Sequence, residues 1–244
     1  MTDETGNPTG GSSDNQMGGV ADEIKKGLPS IPATIKQIIT DPAGFYKQMP
    51  KSGGFVNPLV FMVLMGVAGG VVQAVLSIIG LSPAGSVLSI IFIPVFMAIF
   101  GFVGTAILFI IWKLMGSQES YETAYRCGAY AGAIVPVTTL LSPIPYLGPI
   151  IGIVWMTYLL VVASMEVHSL PSKIAWTVFG ALCVIFSIIS LSTNYAGRQM
   201  TKNMDSWQKG MERKMGDMEE MTPEEAGKAL GDFMKGLKES QKNE

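Results

Sequence analysis

The side chains that could carry a proton or bind an ion are few, and they stand at the ends of long uncharged segments. His168 is the single histidine of the chain, and Glu166 precedes it by two residues. Such a pair could form a proton or ion site, but this spacing does not put two side chains on one face of a helix. The alternative interpretation is that His168 lies in a solvated interfacial loop.

A second candidate is Arg126, which lies among tyrosines at the start of an apolar segment. A long basic side chain in this position commonly anchors a helix by reaching the aqueous interface. The alternative is a pairing of Arg126 with Glu166 across two helices. The candidate functional residues are therefore Arg126, Glu166, His168, Tyr121 and Tyr130.

Catalytic motifs are absent from the sequence: there is no nucleophile elbow, phosphate-binding loop or dinucleotide-binding glycine pattern. Cys127 and Cys183 both lie in apolar segments, where cysteines are usually small core residues. One histidine and two such cysteines make a poor ligand set for a metal. We therefore expect a protein that is not an enzyme, with no catalytic residues, no cofactor and no metal. The lack of a basic patch with interleaved aromatics argues against nucleic acid as a partner.

The uncharged segments that must position these residues are long enough to cross a bilayer. No Asp, Glu, Lys or Arg occurs from Ser52 to Trp112, from Cys127 to Met165, or from Ile174 to Gly197. Helices of soluble proteins need a wet face, whereas ~20 apolar residues span the hydrocarbon core. We predict an all-α fold, a polytopic transmembrane helix bundle of about five spans. The predicted spans are 57–80, 87–112, 124–141, 147–167 and 174–195.

The segment 124–141 decides the topology, because it is short and contains Pro136. If it is re-entrant, four spans remain and the basic residues after Gly197 stay in the cytoplasm, as the positive-inside rule favours. If it crosses, five spans and a cytoplasmic N-terminus place the tail outside.

Segments of different character flank the predicted transmembrane domain, 51–197. Residues 1–30 form an acidic leader that we expect to be disordered, without the features of a cleaved signal peptide. Residues 31–50 contain an isoleucine-faced helix stopped by Asp41 and Pro42, which either lies on the bilayer surface or packs on its own bundle. The prediction is a multi-pass protein of the cell membrane.

The tail, 198–244, has a helical pattern of its own. Apolar residues recur at spacings of three and four and form a stripe that could bind a partner or the membrane. Thr222, Pro223 and Glu225 predict the start of a second helix. The first stripe consists of Met200, Met204, Trp207, Met211, Met215 and Met218.

Glycines within the apolar segments recur at a spacing that permits close helix packing. The pairs are Gly66 with Gly70, Gly128 with Gly132, and Gly148 with Gly152. This small-xxx-small spacing lets membrane helices approach each other closely.

From about Asp41 to Ser190, the order of features resembles the prokaryotic branch of the Yip family of membrane proteins. The resemblance implies five spans, a cytoplasmic N-terminus and no catalysis. The chain lacks the Asp-Leu-Tyr-Gly-Pro segment of the eukaryotic branch, so a Rab-type GTPase is not carried over as a partner. The matching features are the 41–46 segment before the first span, Ser120-Tyr121, Ala124-Tyr125-Arg126, Ala129-Tyr130-Ala131, Pro136, the 143–149 turn, Trp155, His168 and Lys173.

Two functions remain open at this point. The first is a non-catalytic scaffold or adaptor whose partners are the lipid bilayer and another membrane protein or a second copy. The alternative is a small transporter or channel, because helices broken by Pro and Gly can unwind to line a site. A polar cavity at the midplane would favour transport, and a dry packed bundle would favour the scaffold.

Overall fold

The computed structural model describes residues 28–82 and 88–220, together with positions 222, 225, 227, 228 and 231. The described residues form helices and turns, with no strand among them. Most of the predicted leader falls outside these residues. The α-helices are α1 (Ile31–Thr40), α2 (Pro42–Gln48), α3 (Val56–Ile78), α4 (Ser89–Leu114), α5 (Tyr121–Ala131), α6 (Val135–Leu141), α7 (Leu147–Glu166) and α8 (Ser172–Glu220).

The helices α1 and α2 meet at Asp41, which ends one and begins the other. The Asp41 Oδ1 atom accepts a hydrogen bond from the Gly44 backbone at 3.0 Å, and Pro42 occupies the first turn of α2, where no amide donor is needed. Ile38 and Tyr46 are buried in the same core as the long helices. Of the two alternatives for this segment, the structure therefore shows packing on the bundle.

Close packing joins α3 to α4 through glycines. A Cβ atom added at Gly66 would lie 2.7 Å from the Cα of Pro94, and one added at Gly70 would lie 2.7 Å from the Cα of Ile90. Real Cβ atoms do not approach backbone this closely, so only glycine fits at either position. The predicted close approach at this pair of glycines is therefore present.

Four helices among the described residues are long and apolar enough to cross a membrane: α3, α4, α7 and the part of α8 from Ser172 to Arg213. The bounds of α3, α4 and α7 lie within two residues of the predicted spans. Their outward faces are apolar as well; Phe92 and Ile99 of α4 are 66% and 59% exposed. Helices that are hydrophobic all round belong in lipid, and the fold is a helical membrane bundle.

The helix-end contacts show that the segment from Tyr121 to Leu141 also traverses the bundle. The residues after α4 and α7 meet, since Ser117 Oγ lies 2.7 Å from His168 Nδ1. The α7 helix has 20 residues, so its first residue lies about 30 Å away at the opposite end. Because α5 starts at the Ser117 end and α7 starts at the other, the chain between them has to cross.

This third crossing is not one regular helix. A 3-10 turn, Gly132–Ile134, separates α5 from α6. Pro136 has no amide hydrogen to donate, and its ring opposes an α-helical turn at Gly132, so the helix is interrupted where the sequence requires it. The predicted span 124–141 thus corresponds to three short pieces that begin at Tyr121.

The chain divides into two compact units, Met1–Leu191 and Ser192–Glu244. The second unit contains the helical residues from Ser192 to Glu220. Thr222 is not helical. Its backbone amide and its hydroxyl both donate hydrogen bonds to Glu225 Oε2, at 3.0 Å and 2.7 Å. This is half of a capping box, an arrangement found where helices start.

Candidate functional site

The most polar part of the first unit is a cluster at the end of the bundle where α4 and α7 finish. We call it the polar cluster, and it consists of Lys51, Ser117, Glu119, Thr123, Arg126 and His168. Four of these residues come from three short loops, namely the link before α3, the link between α4 and α5, and the link between α7 and α8, whereas Thr123 and Arg126 belong to α5.

His168 is a deeply buried member, with 5% of its surface exposed. Its Nδ1 atom shares a hydrogen with Ser117 Oγ at 2.7 Å, and its ring stacks on Trp112 with centroids 4.1 Å apart. The Trp112 indole in turn donates to Ser164 Oγ at 2.7 Å. The expectation of a solvated loop for His168 is therefore wrong, because its neighbours replace water on both the ring face and the ring edge.

The burial of His168 sets its protonation. The pKa of His168 is lowered from 6.5 to about 4, chiefly because burial disfavours the charged ring; Glu119 opposes this shift, and the charges of Lys51 and Lys113 add to it. His168 is consequently neutral near pH 7, acting as a hydrogen-bond partner and a packing surface.

Lys51 and Glu119 join two of the loops. Their side chains form an ion pair with Nζ and Oε1 2.6 Å apart, and the same Nζ donates to the carbonyl of Val167 at 3.0 Å. The hydroxyl of Thr123 donates to the Lys51 carbonyl at 3.0 Å. One ammonium group thus ties together the three links that carry the polar cluster.

Arg126 is buried, with 5% of its surface exposed, and its NH1 group donates to the Gly54 carbonyl at 3.0 Å. The amide of Gly54 donates to Glu122 Oε1 at 2.7 Å, so both polar groups of this glycine are held by α5. The predicted pairing of Arg126 with Glu166 is not present: the one ion pair among the described residues joins Lys51 to Glu119. Arg126 holds the loop before α3 rather than reaching out to the interface.

The two candidate tyrosines point to different neighbours. The Tyr121 hydroxyl donates to the Phe102 carbonyl at 2.9 Å, which fixes the start of α5 against α4. Tyr130 packs its ring on Phe45 and Phe61, with centroids 5.2 and 5.0 Å away. Arg126 and His168 therefore lie in the polar cluster, whereas Glu166, Tyr121 and Tyr130 do not join them in one site.

Both cysteines are free thiols, and Cys127 Sγ lies 4.0 Å from His168 Nε2. Within the described residues, no group of three His, Cys, Asp or Glu side chains could hold a metal ion.

A cavity of about 700 Å³ lies between the crossing segments of the first unit. Its walls are mainly aliphatic and aromatic, and the lining contains no charged side chain. The polar lining residues are Gln73, Thr138, Thr139, Ser142, Thr157 and Cys183.

The tail stripe is uncovered within its own unit. Met200, Met204, Trp207 and Met211 are 67%, 53%, 66% and 45% exposed. The side chains of Met215 and Met218 fall outside the described residues.

Sequence reasoning missed four members of the polar cluster: Lys51, Ser117, Glu119 and Thr123. A weak signal was present, since Lys51 and Glu119 are opposite charges in links that five crossings bring to one end of the bundle. Nothing local marks Ser117, because its role depends on His168, which lies 51 residues further along the chain.

Comparison with known proteins places the chain in a family. The Yip1 domain matches residues 36–193, which extend from α1 to the first part of α8 and contain the whole polar cluster. The tail stripe lies beyond the matched range. No curated protein and no solved structure matches the chain. Since the domain match covers well over half of its length, the chain belongs to the Yip family of membrane proteins.

Proposed function

We propose that the chain is a non-catalytic membrane scaffold or adaptor. The observation that carries the proposal is the exposed stripe of Met200, Met204, Trp207 and Met211. Helices that carry such a stripe are marginal in water on their own, so an apolar surface has to cover it. Methionine adapts to varied partner surfaces, and a central tryptophan is typical of a binding hot spot.

The polar cluster supports a structural role for the membrane domain. Ser117 and His168 have the contact distance of a nucleophile and its base, but they are only 3% and 5% exposed. A substrate would have to displace Trp112, which is fully buried against the His168 ring. The pair therefore serves to join two loops.

The alternative of a small transporter or channel draws less support from the geometry. The cavity lining carries no charged side chain, and an apolar cavity of this kind offers no path for a charged solute.

The binding partner we infer is another membrane protein or a second copy of this chain, and the stripe is its contact surface. The test is affinity capture of the intact, tagged protein in mild detergent, compared with a variant carrying Met204→Gln and Trp207→Gln. A matched control carries Lys202→Gln and Lys209→Gln, which lie on the opposite face of the same helix.

We expect a stoichiometric partner with the wild type and the lysine control, and at least about a tenfold loss with the stripe variant, since two buried apolar contacts disappear. Equal recovery with all three proteins, or no partner with any of them, would contradict the adaptor role.

A further inference from the structure

We propose that the cavity binds one acyl chain of a membrane lipid, with the lipid headgroup at the end of the bundle where α6 meets α7. This proposal does not depend on the adaptor role, because it concerns the membrane domain and not the tail stripe.

The shape of the cavity follows from the way α8 leaves the bundle. Phe179 is buried at 2% exposure, whereas Phe186, two turns later, is 55% exposed. Both line the cavity, together with Gly104 of α4 and Gly152 of α7. An added Cβ at Gly104 would meet no atom within 4 Å, so the wall is open at this point.

The chemistry of the walls selects an apolar occupant. An apolar cavity does not hold water. The lining residues Ile107 and Phe186 are 56% and 55% exposed on helices that are apolar enough to cross a membrane, so lipid can reach the cavity at this side. Because the lining contains no charge, the walls recognise a hydrocarbon chain and not an ionic group.

The dimensions match a single chain of one leaflet. Lining residues extend along α7 from Gly148 to Leu160, a length of about 18 Å at the helical rise. One leaflet of hydrocarbon is about 15 Å deep.

The polar groups give the lipid a direction. Of the six polar lining residues, Gln73, Thr138, Thr139 and Ser142 lie towards the α6–α7 end, where the crossings reach the far interface. Thr157 and Cys183 lie further along α7 and α8. At the other end, Ile111, Leu160 and Phe179 close the cavity with apolar side chains. An ester-linked headgroup region therefore fits at the Ser142 end, and the chain terminus fits at the Phe179 end.

The test compares the intact protein with two glycine variants. Gly104→Leu fills the open part of the wall, and Gly180→Leu is the matched control, since an added Cβ at Gly180 also meets no atom within 4 Å but this residue does not line the cavity. After extensive exchange into detergent, the fatty acids retained per protein are measured by hydrolysis and gas chromatography. We expect a single lipid per chain in the wild type and in Gly180→Leu, and at least about a tenfold loss in Gly104→Leu.

A second measurement remains informative if Gly104→Leu alters stability. Added phosphatidylcholine should raise the thermal midpoint of the delipidated wild type and of Gly180→Leu, because a ligand of the folded state stabilises it. The midpoint of Gly104→Leu should not move. Retention of equal lipid by all three proteins, or by none, would overturn the proposal, as would a retained molecule without an acyl chain or self-association through this face.

Discussion

At the scale of single residues, each polar group of the polar cluster depends on a partner from another part of the chain. His168 depends on Ser117 and Trp112, and Lys51 depends on Glu119 and the Val167 carbonyl. A buried polar group without a partner costs roughly 1–3 kcal/mol, so each loop end stabilises the others. This explains how a histidine in a loop can stay buried.

The prediction at this scale concerns the loss of folding stability at acidic pH through His168. The folded state holds His168 neutral down to about pH 4, whereas the unfolded chain takes up the proton near its ordinary pKa of 6.5. Stability is therefore complete above pH 6.5 and falls as the pH drops towards about 4. At about pH 5 the loss amounts to about 2 kcal/mol.

Thermal unfolding in detergent at about pH 7 and about pH 5 measures this loss. His168→Gln keeps an amide partner for Ser117 but cannot titrate, so its midpoint should fall less on acidification than that of the wild type. If both proteins lose the same amount, burial of a neutral His168 does not contribute to the pH dependence.

At the scale of elements, close approach between helices depends on where glycines stand. A Cβ at Gly70 would lie 2.7 Å from both the Ile90 Cα and the Ser89 carbonyl oxygen. We expect Gly70→Ala to cost about 1–3 kcal/mol, because backbone cannot yield as a flexible side chain can. Gly180→Ala should stabilise the protein by about 0.5–1 kcal/mol through helix propensity alone.

The measurement is the free energy of unfolding of both variants against the wild type in the same detergent. A Gly70→Ala protein as stable as Gly180→Ala would show that α3 and α4 do not pack as closely as the structure has them.

The elements also show what sequence reasoning could and could not reach. The uncharged runs predict α3, α4 and α7 because lipid permits helices that are apolar on every side, and the glycine spacing predicts their close contact. The burial of Arg126 and His168 escaped prediction, since their partners at Gly54 and Ser117 are distant in sequence and in loops. A polar side chain near a span end is solvated or buried according to tertiary contacts that local pattern does not contain.

At the scale of the whole molecule, the central claim is a five-crossing bundle whose third crossing is broken. Charge counting favours four spans, but the contact between Ser117 and His168 places the ends of α4 and α7 together. A re-entrant 121–141 segment would return to the Ser117 end of the bundle, and α7 would then start at that end. The contact with His168 requires α7 to finish there instead. Tertiary contact outweighs the charge rule, which in this chain compares only a few lysines and arginines.

The most direct measurement labels single cysteines on either side of the third crossing. Gln118 and Ile144 are exposed positions before α5 and after α6, and each is replaced by Cys in a background where Cys127 and Cys183 are Ala. A membrane-impermeant maleimide applied to intact cells should label only one of the two, and permeabilisation should reveal the other. Labelling of both positions in intact cells, or of both only after permeabilisation, would contradict the five-crossing bundle.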